Sequence, residues 1–226
     1  MTTEPSEIAY HFHFASGGGE TVRLRFSPEF DLLDPPDFSP PPWTALEFSR
    51  CAGCPLDPAA SPLCPFARAL APLVPHFTQF YSYEITVVEV VTPRRTMIAK
   101  GALQEGTASL IGLVGATCGC PLLAFFRPMA RLHLPFASEE ETLVRLFATH
   151  LLGRLMQGEP ATLDGLRDRV AGVVQVNAGM ARRLRAGLSR DALVNGLIIL
   201  DTFANAVPYV MDRSLDELRY IFSEDR

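Results

Sequence analysis

Tyr10-His11-Phe12-His13-Phe14-Ala15-Ser16-Gly17-Gly18-Gly19-Glu20-Thr21-Val22-Arg23-Leu24-Arg25-Phe26 reads as a β-hairpin. Tyr10, Phe12 and Phe14 alternate with polar residues before a Ser-Gly-Gly-Gly turn, and Val22, Leu24 and Phe26 alternate with them after it. That two-residue period belongs to strands with one buried face. The opposite face carries His11, His13, Arg23 and Arg25. Beside two guanidinium groups a histidine metal pair is disfavoured, so this face reads as a solvated, basic sheet surface.

A second hairpin follows. Tyr83 to Val91 is rich in β-branched residues (Ile85, Thr86, Val87, Val88, Val90, Val91), Thr92-Pro93-Arg94-Arg95 is a turn, and Thr96 to Leu103 returns. From Gly106 onward the spacing becomes helical. Ser138-Glu139-Glu140-Glu141 is a capping box ahead of Leu143, Leu146, Phe147, Leu151 and Leu155, and Ser214 with Glu217 repeats the device before Leu218 and Ile221. Helices also fit Leu163 to Leu184 and Arg190 to Val210. The pattern predicts an α+β fold, a four-stranded antiparallel sheet packed against a C-terminal helical half, with a cysteine-rich loop at the junction. One domain is expected, divided into an N-terminal hairpin (1–33), a Pro/Cys-rich loop with a short helix (34–80), a second hairpin (81–103) and the helical half (104–226).

The chain of 226 residues is 48% hydrophobic and 20% charged, enough for a substantial core. Its formal charge of −5 argues against nucleic acid as a partner, since proteins that neutralise phosphates carry a basic excess. The stretch Ala192 to Val210 is apolar but interrupted by Asn195, Asp201 and Asn205, which suits a buried helix better than a membrane span. The first seven residues, Met1 to Glu7, carry acids where a secretory signal carries Lys or Arg, so a reducing cytoplasm is the expected compartment.

The chemistry-bearing residues are the five cysteines, confined to two windows: Cys51, Cys54 and Cys64, then Cys118 and Cys120. Cys51-Ala52-Gly53-Cys54 sets two sulfurs one tight turn apart, and Asp34 to Pro42, with five prolines, is an extended connector leading into them. Pro65 and Pro121 each open a helical pattern, which places Cys64 and Cys120 at expected helix N-termini, where unpaired N–H groups favour a thiolate. The expected metal ligands are Cys51, Cys54, Cys64 and Cys120. Two close pairs, Cys51 with Cys54 and Cys118 with Cys120, form the alternative set, and Cys118 or His133 is a possible substitute ligand. Zn²⁺ fits such thiolates, a [4Fe-4S] cluster is the alternative cofactor, and reduced cysteines packed as small hydrophobes need neither.

The wording Cys-x-x-Cys-Pro-Leu, Cys-Pro, Gly-Cys-Pro and Met-Ala-Arg-x-His-Leu-Pro-Phe, across residues 51–156, resembles an uncharacterised family of bacterial proteins. The resemblance implies a bacterial cytosolic protein of this architecture and carries no activity with it.

Other groups read as structural. Trp43 and Phe48 are expected to anchor the connector. Asp201 suits an ion pair with Arg182, Arg183 or Arg185, and Glu139 to Glu141 complement a helix dipole. Gly17 to Gly19 lack the Lys-Ser/Thr of a phosphate loop, and no hydrolase, zinc-protease or dinucleotide fingerprint is present, so enzymatic activity stays open. The leading expectation is a cytoplasmic metal-binding protein whose site is mainly structural and whose partner is another protein, with neither nucleic acid nor membrane involved. The alternatives are an iron–sulfur redox or sensing module, and a metal-free helical adaptor or small-ligand binder using a groove between Leu143–Leu155 and Ile198–Tyr209.

Overall fold

The strands of the structure, a computed structural model describing residues 6–36, 38–187, 191–212 and 218–222, follow the two-residue period except at Ala9, which is buried between Ile8 and Tyr10. Strands β1 (Ser6–Phe14) and β2 (Gly19–Phe26) form the first hairpin, and β3 (Ile85–Val91) and β4 (Thr96–Ala102) the second. The sheet is antiparallel in the order β2-β1-β3-β4, with β1 central. Tyr10 stands opposite both Val22 and Val90, and Phe12 opposite Val88. Tyr10, Phe12 and Phe26 are fully buried. Phe12 meets Phe77 edge-on at 5.0 Å, and Phe14 stacks on Phe80 at 3.7 Å. The opposite face is the polar one: His11 pairs with Thr21 and Arg23 with Glu7, both exposed to solvent.

Between the hairpins lie two 3₁₀ turns (Pro42–Thr44 and Leu46–Ser49), α1 (Pro65–Leu70), a third 3₁₀ turn (Ala71–Leu73) and the short α2 (Val74–Phe77). The helical half comprises α3 (Leu103–Thr117), a 3₁₀ turn (Ala124–Phe126), α4 (Arg127–Arg131), α5 (Glu139–Met156), α6 (Leu166–Gly187), α7 (Ala192–Asp212) and α8 (Arg219–Phe222). Sheet and helices share one continuous buried cluster, running from Ile8 and Tyr10 through Leu110 and Leu146 to Val207.

Helix α3 lies at the middle of that cluster and touches its neighbours through glycine. A methyl group on Gly106 would stand 2.9 Å from Cε1 of Phe12 and 2.9 Å from Cγ2 of Val88, so this turn rests directly on the sheet. On Gly115 it would stand 3.2 Å from Leu123 and 3.3 Å from Phe66. Where α7 crosses, the glycine is on the partner helix: a methyl on Gly196 would meet Oγ1 of Thr107 at 2.4 Å, and that hydroxyl donates to the Ala192 carbonyl at 3.1 Å.

The Ser138 capping box is present in full, with Ser138 Oγ accepting from the Glu141 N–H and the Glu141 carboxylate accepting from the Ser138 N–H. Three expectations are corrected. Strand β3 begins at Ile85, because Tyr81 to Glu84 close a turn in which the Glu84 N–H donates to the Tyr81 carbonyl. Helix α6 begins at Leu166, since Gly165 has φ +75°, outside helical space. Pro121 opens a turn and then a 3₁₀ segment, as the Leu123 and Phe126 N–H groups bond to the third carbonyl back. In α5, Leu143, Leu146 and Phe147 are buried, but Leu151 is only half-buried and Leu155 is 57% exposed, because the last turns project beyond the core. The Ser214/Glu217 capping box lies outside the described residues. Helix α7 from Ala192 to Met211 is long and apolar enough to cross a membrane by length and composition, and here it packs on α3 and α6 with a third of that stretch buried.

Gly106→Ala and Gly112→Ala should change stability with opposite signs. Alanine gains about 0.5–1 kcal/mol over glycine inside a helix, but overpacking costs about 1–3 kcal/mol. At Gly106 the clash should win, with a net loss of about 1–2 kcal/mol. At Gly112 the added methyl meets only Cδ2 of Leu200 at 3.8 Å, so urea unfolding should show a gain of about 0.5–1 kcal/mol.

Candidate metal centre

The cysteine loop lacks a hydrophobic core of its own and is held by backbone bonds. Ala45 and Leu63 form an isolated antiparallel bridge, the Leu46 N–H donates to the Pro62 carbonyl at 2.8 Å, and the Cys64 N–H donates to the Thr44 carbonyl at 2.8 Å. These bonds close residues 46–62 into a loop and fix Cys64 as the residue before α1. Arg183 of α6 completes the clamp. It is 1% exposed; its Nη1 donates to the Trp43 and Ala45 carbonyls at 2.6 Å each, and its Nη2 to the Leu46 carbonyl at 2.9 Å. A buried guanidinium needs acceptors, and these are neutral, so its charge remains to be balanced.

That charge lies beside sulfur. In the Cys51–Cys54 turn, Gly53 takes φ +74° and the Cys54 N–H donates to the Cys51 carbonyl at 3.1 Å. Arg50 braces the turn from outside through the carbonyls of Cys54 and Leu56. A methyl on Gly179 of α6 would stand 3.0 Å from Cys51 Sγ and 3.2 Å from the Ser49 carbonyl, so only glycine lets the helix backbone approach this sulfur so closely. Burial raises the Cys51 pKa, the charges of Cys64 and Cys54 raise it further, and Arg183 and Arg182 oppose them.

Cys118 and Cys120 flank Gly119, whose φ of +83° folds the segment back. Burial raises the Cys120 pKa to about 11; the nearby backbone N–H groups of Leu122 and Leu123 act the other way, and the charges of Cys64 and Cys51 raise it. Burial also pushes Cys118 well above the ordinary thiol range, with Cys120 and Cys64 adding to the rise. Its S–H donates to the Gly115 carbonyl at 3.2 Å, a bond only the protonated form makes. Three separate stretches of chain, at residues 51–54, at 64 and at 118–120, therefore bring their sulfurs within electrostatic reach of one another. All five cysteines are free. Among the described residues no three His, Cys, Asp or Glu side chains lie close enough to hold a metal ion, so the sulfurs form a neighbourhood and not a closed coordination sphere.

His133 has a different role. Tyr10, fully buried and with its pKa raised by burial, donates its hydroxyl to His133 Nε2 at 2.6 Å. Burial first, then the Arg145 charge, lowers the His133 pKa to about 4, so it is the neutral acceptor under the sheet. Asp201 does not pair with Arg183, whose guanidinium is taken by carbonyls; it accepts from Asn205 of its own helix at 3.3 Å. Trp43 packs against the core as an anchor, whereas Phe48 is 45% exposed and lies under the Arg183 guanidinium at 6.0 Å. Sequence reading missed the structural parts played by Arg183 and Gly179. For Arg183 the acceptors lie 137 to 140 residues away, with no local signal; for Gly179 the cue was a small-residue run, Ala178-Gly179, inside a helical pattern.

An α+β fold with a partly buried thiol neighbourhood beside a loop clamped by one arginine is the class of protein these features define. The chain belongs to a family described as a domain of unknown function, DUF6901, which matches residues 8–223. No curated protein and no solved structure matches it.

Two outcomes follow from these contacts. Arg183→Met should cost at least about 2 kcal/mol by stripping three buried carbonyls of their donor, and should slow the reaction of Cys51 with a thiol reagent in the native state, because the thiolate loses a nearby positive charge that favours it. His133 is neutral when folded and titrates near 6.5 when unfolded, so the unfolded chain binds more protons between those values. Its contribution, up to about 3 kcal/mol, is complete above pH 6.5 and is lost as pH falls toward 4; His133→Gln should flatten that part of the stability–pH curve.

Proposed function

We propose that this protein binds a metal ion through Cys51, Cys54, Cys64 and Cys120, that the ion is Zn²⁺, and that the site is structural, tying the proline-rich loop to the helical half. What carries this reading is the convergence of Cys51, Cys64 and Cys120 from three distant positions in the chain, near enough for charge on Cys64 to raise the pKa of both Cys51 and Cys120. Charge supports it. Four thiolates around Zn²⁺ leave a net charge of about −2, and Arg183, Arg182 and the N–H groups of Leu122 and Leu123 are positioned to offset it. Cys118 is the spare, because its S–H is engaged by the Gly115 carbonyl. Closing the coordination sphere requires the Cys51–Cys54 turn, which Arg50 braces through the Cys54 and Leu56 carbonyls, to move toward Cys64 and Cys120.

With its metal bound, the protein acts in the bacterial cytoplasm by docking another protein. Leu152, Leu155 and Met156 support this, since they share one stripe of α5 and are 58%, 57% and 81% exposed.

Elemental analysis with an absorption spectrum, on untagged protein prepared without oxygen, tests the site. One zinc per chain and no colour are expected; a brown protein that bleaches in air would replace zinc by a [4Fe-4S] cluster on the same sulfurs, and protein without metal would end the reading. Cys120→Ser should lower metal content and Cys118→Ser should leave it unchanged. Because burial holds Cys51 and Cys120 protonated at neutral pH, zinc binding should release at least two protons and weaken as pH falls, measurable by calorimetry in buffers of different ionisation enthalpy.

A further inference from the structure

Between α3, α6, α7 and the segment from Leu123 to Arg145 lies a cleft of about 790 Å³, within the range of small-molecule sites. It runs along α3 from Gln104 to Ala116, a length of about 18 Å at the helical rise. Phe66, Leu113, Leu123, Val173, Ile199 and Phe203 make its walls apolar.

Most polar side chains on the lining already have partners within the protein. His133 accepts from Tyr10, Asn195 donates to Ser82 and Asp191, Thr142 donates to the Ser138 carbonyl, and Arg145 donates to the Met129 and Leu132 carbonyls. Asn177 differs. It is 4% exposed, it lines the cleft, and its Nδ2 has no hydrogen-bond partner, the one such buried donor among the described lining side chains. An amide N–H withdrawn from water and left unmatched is unfavourable, so a molecule that presents an acceptor to the Asn177 amide as it turns toward the cleft supplies the contact that the protein lacks.

The charges on the lining specify the rest. Glu105 and Glu139 outnumber Arg145, whose guanidinium is already shared by two carbonyls, and His133 is neutral. A carboxylate ligand would meet net negative charge, whereas an uncharged one would not. We propose that the cleft binds an elongated, uncharged apolar molecule whose carbonyl oxygen accepts the hydrogen bond of Asn177 Nδ2. This site uses none of the cysteines, and its proposal stands apart from the metal reading.

Nile red, a neutral apolar dye with a carbonyl group, is a suitable probe, with decan-2-one and decanoate as competitors on the full-length protein. Saturable fluorescence is expected, with decan-2-one displacing the dye at about tenfold lower concentration than decanoate. Asn177→Leu should weaken decan-2-one about tenfold, the value of one buried hydrogen bond, while raising the melting temperature of the ligand-free protein by removing the unmatched donor. Gly112→Leu projects into open cleft, where the first added carbon meets only Leu200 at 3.8 Å, and should abolish dye binding in a protein of unchanged circular dichroism. The proposal is overturned if wild-type protein shows no saturable binding, if decanoate competes as well as the ketone, if Gly112→Leu binds the dye as before, or if Asn177→Leu leaves ketone affinity unchanged. Should Asn177→Leu fail to fold, the Gly112→Leu result and the competitor ranking decide alone.

Discussion

The fold depends on one helix being bare where it is most crowded. Helix α3 rests on the sheet at Gly106 and faces α1 and the Leu123 turn at Gly115, while α7 presents Gly196 to it. At those crossings backbone replaces side chain, so helix axes come closer than bulky residues allow, and the sheet, the cysteine segments and the C-terminal helices are brought to one centre. Every buried feature of interest is within reach of that centre. The Gly115 carbonyl engages Cys118, and the face of α3 from Gln104 to Ala116 floors the cleft.

The thiols and the cleft obey opposite electrostatic rules. Around the sulfurs the protein gathers positive potential, from Arg183, Arg182 and two backbone N–H groups, in a region where burial alone would hold each thiol protonated. The cleft shows no such gathering: its acids outnumber its one arginine, its histidine is neutral, and the unmatched group is a single amide. Leu123 belongs to both, its N–H facing Cys120 and its side chain lining the cleft.

Both hairpins, the order of the elements and the α5 capping box were legible in the sequence, because alternation, turn residues and caps are local signals. So was the grouping of the cysteines. The pairing of β1 with β3 was not, since hairpin patterns say nothing of which hairpin edge meets which. The helix expected after Pro121 failed for a related reason: Pro121 marks where a turn begins, and only tertiary contacts of Leu123 decide whether it continues as an α-helix. Asp201 was expected to pair with one of Arg182, Arg183 or Arg185 because charge usually meets charge, yet the acceptors of Arg183 are three carbonyls far away in sequence. Asn177 carried no signal at all, since an asparagine within a helical pattern looks the same with or without a partner.

Arg183 has a consequence for the order in which the molecule assembles. Small zinc-dependent domains are commonly unfolded until the ion arrives, because nothing else overcomes the disorder of the ligand-bearing chain. Here a guanidinium from α6 already grips residues 43, 45 and 46, and the Ala45–Leu63 bridge returns the chain to Cys64. Residues 43–46 and Cys64 are thus docked by contacts within the chain itself, and under the zinc reading proposed above it is the Cys51–Cys54 turn that an ion would have to draw inward.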